Sequence, residues 1–469
     1  MQGKIFINRY FDFAMATYRF LHQPTVMAWQ DKLHDDPESI KPIHKAILLL
    51  LYATGTLYNV DDSHTVLSGG DAPEGHGLTG EKYYQAAQHL ISKETGMPQL
   101  ESVQARLAST LYLLNTSRLN QAWYLFGTTC QIVVALGFHR KTAIVQPQKN
   151  YVLSECRKRS FWAAFTLDGY FSVMLGRPTF LHDDFIDQDY PRPFNDQDIS
   201  ANEIFKNSQG IDCLITASIL HAKLARVIRK ASKDQYLLHQ VSEDSQIRTA
   251  AQLNDEIARW QDELPIFLSG AINPASLIPV FRRQATVLRM GCAHAIILVN
   301  RPLLLSRHAA PVCVQPHVEE CLAAAKSMLE LVLDFVADNH MFQGFWKTQV
   351  SYSKELWSHL SIVRRDAHHS QSMLLSTPSR LSMSGSSSAR LGGWLTSPRS
   401  MMKWTSLILQ KQSKLLWPQQ HNQMHPTFVT QLSWESCSER QEESLHRRKL
   451  RRTGILAPQA HLSPMTQVE

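Results

Sequence analysis

The chain has 469 residues, 44% of them hydrophobic, a formal net charge of +7 and seven cysteines. Its length admits two or three domains with a sizeable core. Cysteines at 130, 156, 213, 292, 313, 321 and 437 form no CxxC pair, which speaks against a disulfide framework or a zinc site. The opening MQGKIFINRYFDF lacks the basic-then-apolar order of a signal peptide. The longest apolar run, Ala46 to Leu57 with Thr54, Gly55 and Thr56 inside it, is shorter than the roughly 20 residues a membrane span needs. The expectation is a soluble, intracellular protein. Residues 348–469 hold 15 Lys+Arg against 7 Asp+Glu, and the preceding body 33 against 34. The basicity belongs to the tail, so net charge neither supports nor excludes a phosphate-binding face on the body.

Taken in chain order, residues 61–80 are rich in Gly and Asp and read as a loop. Val103, Leu107, Leu111 and Leu114 recur at helix spacing. So do Trp123, Phe126, Cys130, Val133 and Val134, with Gly137 as the stop. Ser154 reads as an N-cap with Glu155 in the first turn, opening a helix that ends at Gly176-Arg177-Pro178. Residues 186–200, with Pro191 and Pro193, read as a loop. Further helices fit Ile211 to Lys230, Leu253 to Leu264 before Pro265, Phe281 to Asn300 before Arg301-Pro302, and Val318 to Val336. No stretch alternates as a strand, so the fold class is all-α. The expected division is a helical domain over 1–349 and an aperiodic tail over 350–469. That tail, poor in aspartate yet holding five of the ten tryptophans, is expected to be largely unstructured.

The segment from Ser154 to Pro191 carries Glu155, Arg157, Lys158, Arg159, Phe161, Trp162, Asp168, Gly176, Arg177, Pro178, acidic residues at 183, 184 and 187, and Pro191. In that order and spacing it resembles the signature of the fungal-specific transcription factor domain, the middle homology region of zinc-cluster regulators. Tyr10–Pro24 looks like the family's opening helix. Ala122–Arg140, Trp260–Pro265 and Leu288–Leu304 are similar to its later segments, and the resemblance spans about residue 5 to Gln349. It implies a helical domain that regulates transcription in the nucleus, by dimerisation, effector sensing or coregulator contact, in some cases over a metabolic gene cluster. Two readings of Glu155, Arg157, Arg159, Phe161, Trp162, Asp168, Gly176, Arg177 and Pro178 stay open. In one, Arg157, Asp168 and Arg177 form a partly buried ion network that fixes the Gly-Arg-Pro exit, with Phe161 and Phe165 anchoring the face. In the other, the same residues line an effector pocket.

The family places a six-cysteine zinc cluster ahead of this domain. Here the resemblance begins within a few residues of Met1, so no zinc or other cofactor is expected, and DNA contact is expected only indirectly or through a separate module. Val350-Ser351, where the family pattern stops, is what a GTAAGT splice donor would encode; a read-through or mis-spliced, non-functional product is therefore a further expectation.

Three other motifs carry chemistry on paper. Asp183, Asp184 and Asp187 have the DDxxD form that holds magnesium in helical enzymes, which makes such an enzyme the alternative function. They sit between Pro178 and Pro191, without a partner motif, so an acidic loop is the plainer reading. Gly75–Lys82 faintly matches a phosphate loop but has Glu81 where the lysine belongs. Arg447, Arg448, Lys449, Arg451 and Arg452 form a basic run of nuclear-import type.

Overall fold

The computed structural model of the chain describes residues 2–58, 76–141, 150–205, 212–236, 242–273, 276–304 and 314–337. The tail, its basic run at 447–452, Phe345–Gln349 and residues 61–75 of the 61–80 loop lie outside the described residues. Twelve α-helices account for the described body, in one unit of the chain. The only bridge among these residues is an isolated pairing of Ile199 with Ile204.

The amino-terminal layer is built on α3 (Pro42–Gly55), whose PIHKAILLLLYATG sequence is apolar almost all round and therefore buried all round. Against it lie α1 (Gln2–Arg9), α2 (Gln23–Asp35), α4 (His76–Ser92) and α5 (Leu100–Asn115). α1 approaches α3 closely because Gly55 has no Cβ; one there would meet the Phe6 carbonyl oxygen at 2.7 Å. Residues 76–80, expected in a loop, form the first turn of α4.

The central layer is α6 (Leu119–Ala135), α7 (Tyr151–Leu175) and α8 (Thr216–Gln235), followed by α9 (Glu243–Asp262), the short α10 (Ile266–Ser269), α11 (Pro279–Leu304) and α12 (Gln315–Ala337). α7 packs on α5, α6 and α8, and α8 in turn packs on α9 and α11. Every residue of α7 from Arg159 to Ser172 is buried, Phe161 and Phe165 completely.

Local chemistry explains the helix ends. α6 stops at Gly137 (φ +64), with the Phe138 N–H donating to the Val133 carbonyl and the Gly137 N–H to that of Val134. α7 stops in the same way at Gly176 (φ +63), where the Arg177 N–H reaches the Ser172 carbonyl. At α7's start the expected cap is corrected: the Asn150 side chain, not Ser154, accepts from the Leu153 N–H. Tyr151 to Leu153 thus already form helix. α11 runs through Pro302 instead of ending at Asn300.

The largest departure is at the start. The expected opening helix Tyr10–Pro24 is broken. α1 passes into a turn of π-helix over Tyr10–Ala14, closed by the Met15 N–H on the Tyr10 carbonyl at 3.1 Å. The chain then runs irregularly to His22, and α2 begins at Gln23 with a proline in its first turn.

Candidate functional site

After Gly176 the chain turns back and retraces α7 from end to end as an irregular strap. Near the carboxyl end, both oxygens of Asp168 accept backbone N–H groups, from Phe180 and Leu181, each at 2.9 Å. One turn and a half back, the Trp162 indole N–H donates to the Asp189 carbonyl at 2.9 Å. Glu155 accepts from the Arg192 N–H at 2.9 Å, and the Arg159 guanidinium donates to the Phe194 carbonyl at 3.1 Å. Finally the Tyr151 N–H reaches the Ala201 carbonyl at 3.1 Å. The strap has almost no regular backbone pairing of its own, so side chains of α7 satisfy its N–H and carbonyl groups.

Two buried ion pairs lock this arrangement. Asp168, 1% exposed, takes a third hydrogen bond at 2.7 Å from Arg229 of α8. The same guanidinium donates to the Leu181 carbonyl and lies over the Phe165 ring at 4.4 Å. Burial pushes the Asp168 carboxyl up, and Arg229 with the two backbone donors opposes that push. Gly169 makes the contact possible, since a Cβ there would meet the Arg229 side chain at 3.0 Å. At the other end, Arg159 pairs with Asp196 at 2.5 Å, both nearly out of solvent. The second Asp196 oxygen accepts from the Gln23 N–H at 2.8 Å, and the Asp196 carbonyl meets His22 at 2.8 Å. This latch joins α7, the strap and the start of α2.

The expected network of Arg157, Asp168 and Arg177 does not form. Arg157 caps the end of α6 instead, donating to the carbonyls of Leu136 and Gly137 at 3.1 and 2.6 Å, with Phe138 beneath it. A cation there complements the negative end of the helix. Arg177 lies over the Trp123 ring at 4.2 Å and donates to the Asn120 side chain. Gly176 (φ +63) makes the turn into the strap, with Pro178 following it, and Phe161 and Phe165 are buried in the core. The acidic triplet divides its tasks as well: Asp183 faces Arg229 at 3.4 Å, and Asp187 accepts from the Lys141 N–H at 2.7 Å beside Arg140. Among the described residues no group of three His, Cys, Asp or Glu is placed to hold a metal ion.

The partners Arg229, Asp196 and Arg226 escape a reading of the signature alone. Arg226 lies against Trp162 and Tyr190, whose rings stack at 4.1 Å. The Arg229 signal was present in α8, where this arginine keeps phase with the buried Ala222 and Ala225. A charge on an apolar face demands a buried counter-ion. The described cysteines at 130, 156, 213, 292 and 321 are each buried in the core, and burial pushes the Cys156 thiol up to about 12. They do not suit the family's six-cysteine zinc cluster.

The family model described as the fungal specific transcription factor domain matches residues 7–262, which includes α7, the strap and both latches. The chain belongs to this family. It is 26% identical to "Activator of stress genes 1" of Saccharomyces cerevisiae over 73% of the chain and 36% of that protein. It is 24% identical to "Activator of stress genes protein 1" of Candida albicans over 62% of the chain and 32% of that protein. A third relative, "Transcriptional activator protein acu-15" of Neurospora crassa, is 20% identical over 70% and 34%. The chain spans about a third of the length of these relatives. No solved structure matches. Family and relatives together speak for a fungal-type transcription regulator, and nothing in them favours the magnesium-dependent enzyme. No helix among the described residues is long and apolar enough to cross a membrane.

Proposed function

We propose that this chain is the regulatory body of a nuclear transcription regulator and not an enzyme, working through protein contact as a dimer partner or coregulator platform and through effector sensing. The observation that supports it is the match of the transcription factor domain to one continuous helical body. Glu155, Arg159, Trp162 and Asp168 are positioning residues in this reading: they hold the strap on α7. Arg157, Gly176, Arg177 and Pro178 shape the helix ends around it. The functional division is the helical domain 1–349 and the tail 350–469, with Arg447, Arg448, Lys449, Arg451 and Arg452 as the nuclear-import run. No residue of this chain is assigned to base readout or to a cofactor.

The full chain fused to a heterologous DNA-binding domain tests the proposal in a yeast reporter strain. Reporter output is expected to move severalfold from that of the DNA-binding domain alone, in either direction. Unchanged output from a fusion that is visibly nuclear overturns the regulatory reading. A fluorescent fusion that stays nuclear after replacement of all five basic residues by alanine overturns the import assignment.

A further inference from the structure

Of the described α-helices longer than one turn, only α6 holds no Lys, Arg, Asp or Glu anywhere in its sequence, LNQAWYLFGTTCQIVVA. It rests on α5 and, more lightly, on α7, and buries Ala122, Phe126, Cys130 and Val133. Its opposite side faces water: Asn120, Tyr124, Thr128, Gln131 and Ala135, at i, i+4, i+8, i+11 and i+15, are all exposed. Tyr124 is 65% exposed, and Val134 at the margin of this row is 45% exposed. A helix face turned to solvent ordinarily carries charged side chains, which are the costliest to bury. This one carries none.

Absence of charge around an exposed tyrosine is the composition of the core of a protein contact. The polar groups in the row indicate what it contacts. Asn120 and Gln131 carry amides and Thr128 a hydroxyl, and each of these groups both donates and accepts hydrogen bonds. Such groups can bond to their own copies across a two-fold axis, where a charged group would meet a like charge. The cations that flank α6 in sequence are already matched within the chain. Arg118 is held by Glu81 at 2.9 Å, Arg140 by Asp187 at 3.4 Å and Lys141 by Asp189 at 2.8 Å. Arg177, from the turn after α7, lies on Trp123. The face therefore has its electrostatic complement in itself.

We propose that the exposed face of α6 binds a second copy of this chain, the two α6 helices lying antiparallel about a two-fold axis beside Thr128. In that register Tyr124 lies against Gln131 of the partner subunit, and Asn120 against the partner subunit's Ala135. A pairing of this kind uses the same patch on both copies and closes at two. At 1.5 Å per residue the row from Asn120 to Ala135 is about 22 Å long, so the contact is small and its affinity should be micromolar. The contact rests on the dimer-partner part of the proposed function and deepens it by naming the surface and the partner.

Sedimentation equilibrium of the full chain over about 1–100 µM tests the contact, and the parent is expected to pass from monomer to dimer across that range. Thr128→Lys and Thr128→Asp each set a charge against its own copy, and each is expected to weaken association at least about tenfold. An equimolar mixture of the two variants is expected to restore association, with one copy of each, because the charges then meet as opposites. Tyr124→Ser is expected to weaken association without adding charge, and it decides in place of any Thr128 variant that loses the parent Tm. A parent that stays monomeric, folded variants that associate as tightly as the parent, or a mixture that associates no more tightly than its components each overturn the contact. A monomeric parent with an active reporter fusion removes the contact and leaves the regulatory reading standing.

Discussion

The two latches on α7 use the same chemistry for different ends. Asp168–Arg229 closes a local hairpin: helix, turn, strap and the next helix, all within residues 168–229. Arg159–Asp196 closes a long-range junction, tying the strap to the chain at His22 and Gln23, more than 170 residues away in sequence. The first carboxylate is sealed, with three donors and 1% exposure; the second, also buried at 8%, has two donors. A buried pair with every lone pair directed is costly to break, because one partner removed leaves the other charged in a dry site. The contrast separates a fully donated latch closed within one hairpin from a less donated one that spans the domain.

The largest effect should therefore fall on the sealed latch. Arg229→Met leaves Asp168 buried with two backbone donors only, and should cost about 3–5 kcal/mol in urea unfolding. In a double-mutant cycle with Asp168→Asn, the two losses should fall short of additivity by about 1 kcal/mol or more. Additive losses would show that the pair is not coupled as the geometry says. Asp196→Asn keeps one acceptor for Arg159 and should cost less, about 2–3 kcal/mol. Hydrogen exchange should place the loosening at residues 15–25, and a uniform loss of protection would erase the distinction between the latches.

Smaller changes calibrate the comparison. Gly176→Ala puts a side chain where φ is +63, with open space around the new Cβ. The cost should be backbone strain alone, about 1 kcal/mol. A loss as large as that of Arg229→Met would mean that the turn, not the ion pair, sets the strap.

The half-buried pair of His44 and Glu101, 3.8 Å apart with Trp29 stacked on the imidazole at 4.0 Å, should matter least. The His44 imidazole at this distance holds the Glu101 carboxyl below its ordinary value of 4.5. A carboxylate with a depressed folded-state pKa stabilises above its unfolded value and loses that contribution as pH falls through the folded value. His44→Ala should therefore flatten the acid limb of stability below about pH 4.5, by under about 1 kcal/mol given the exposure. An unchanged acid limb would count against the pair.

Much of this domain was legible one segment at a time. α5, α6 and the long α7 showed in their apolar spacing, and Gly137 and Gly176 marked their ends, because a glycine stop is an interaction within five residues. The signature residues were legible as a set, but not their tasks. Arg157 caps α6 and Arg177 lies on Trp123, although both had been placed with Asp168.

Periodicity, caps and the family thus follow from the chain alone, since each depends on neighbours a turn away or on an ordered string of residues. Partner choice needed the tertiary structure. Arg229 reaches Asp168 because Gly169 lets α8 lie close, and Asp196 meets Arg159 because the strap retraces α7. The opening helix breaks into a π turn because residues 10–22 must pass between α3 and α11 and still reach the second latch. Such choices depend on which surfaces pack, and no local spacing encodes that.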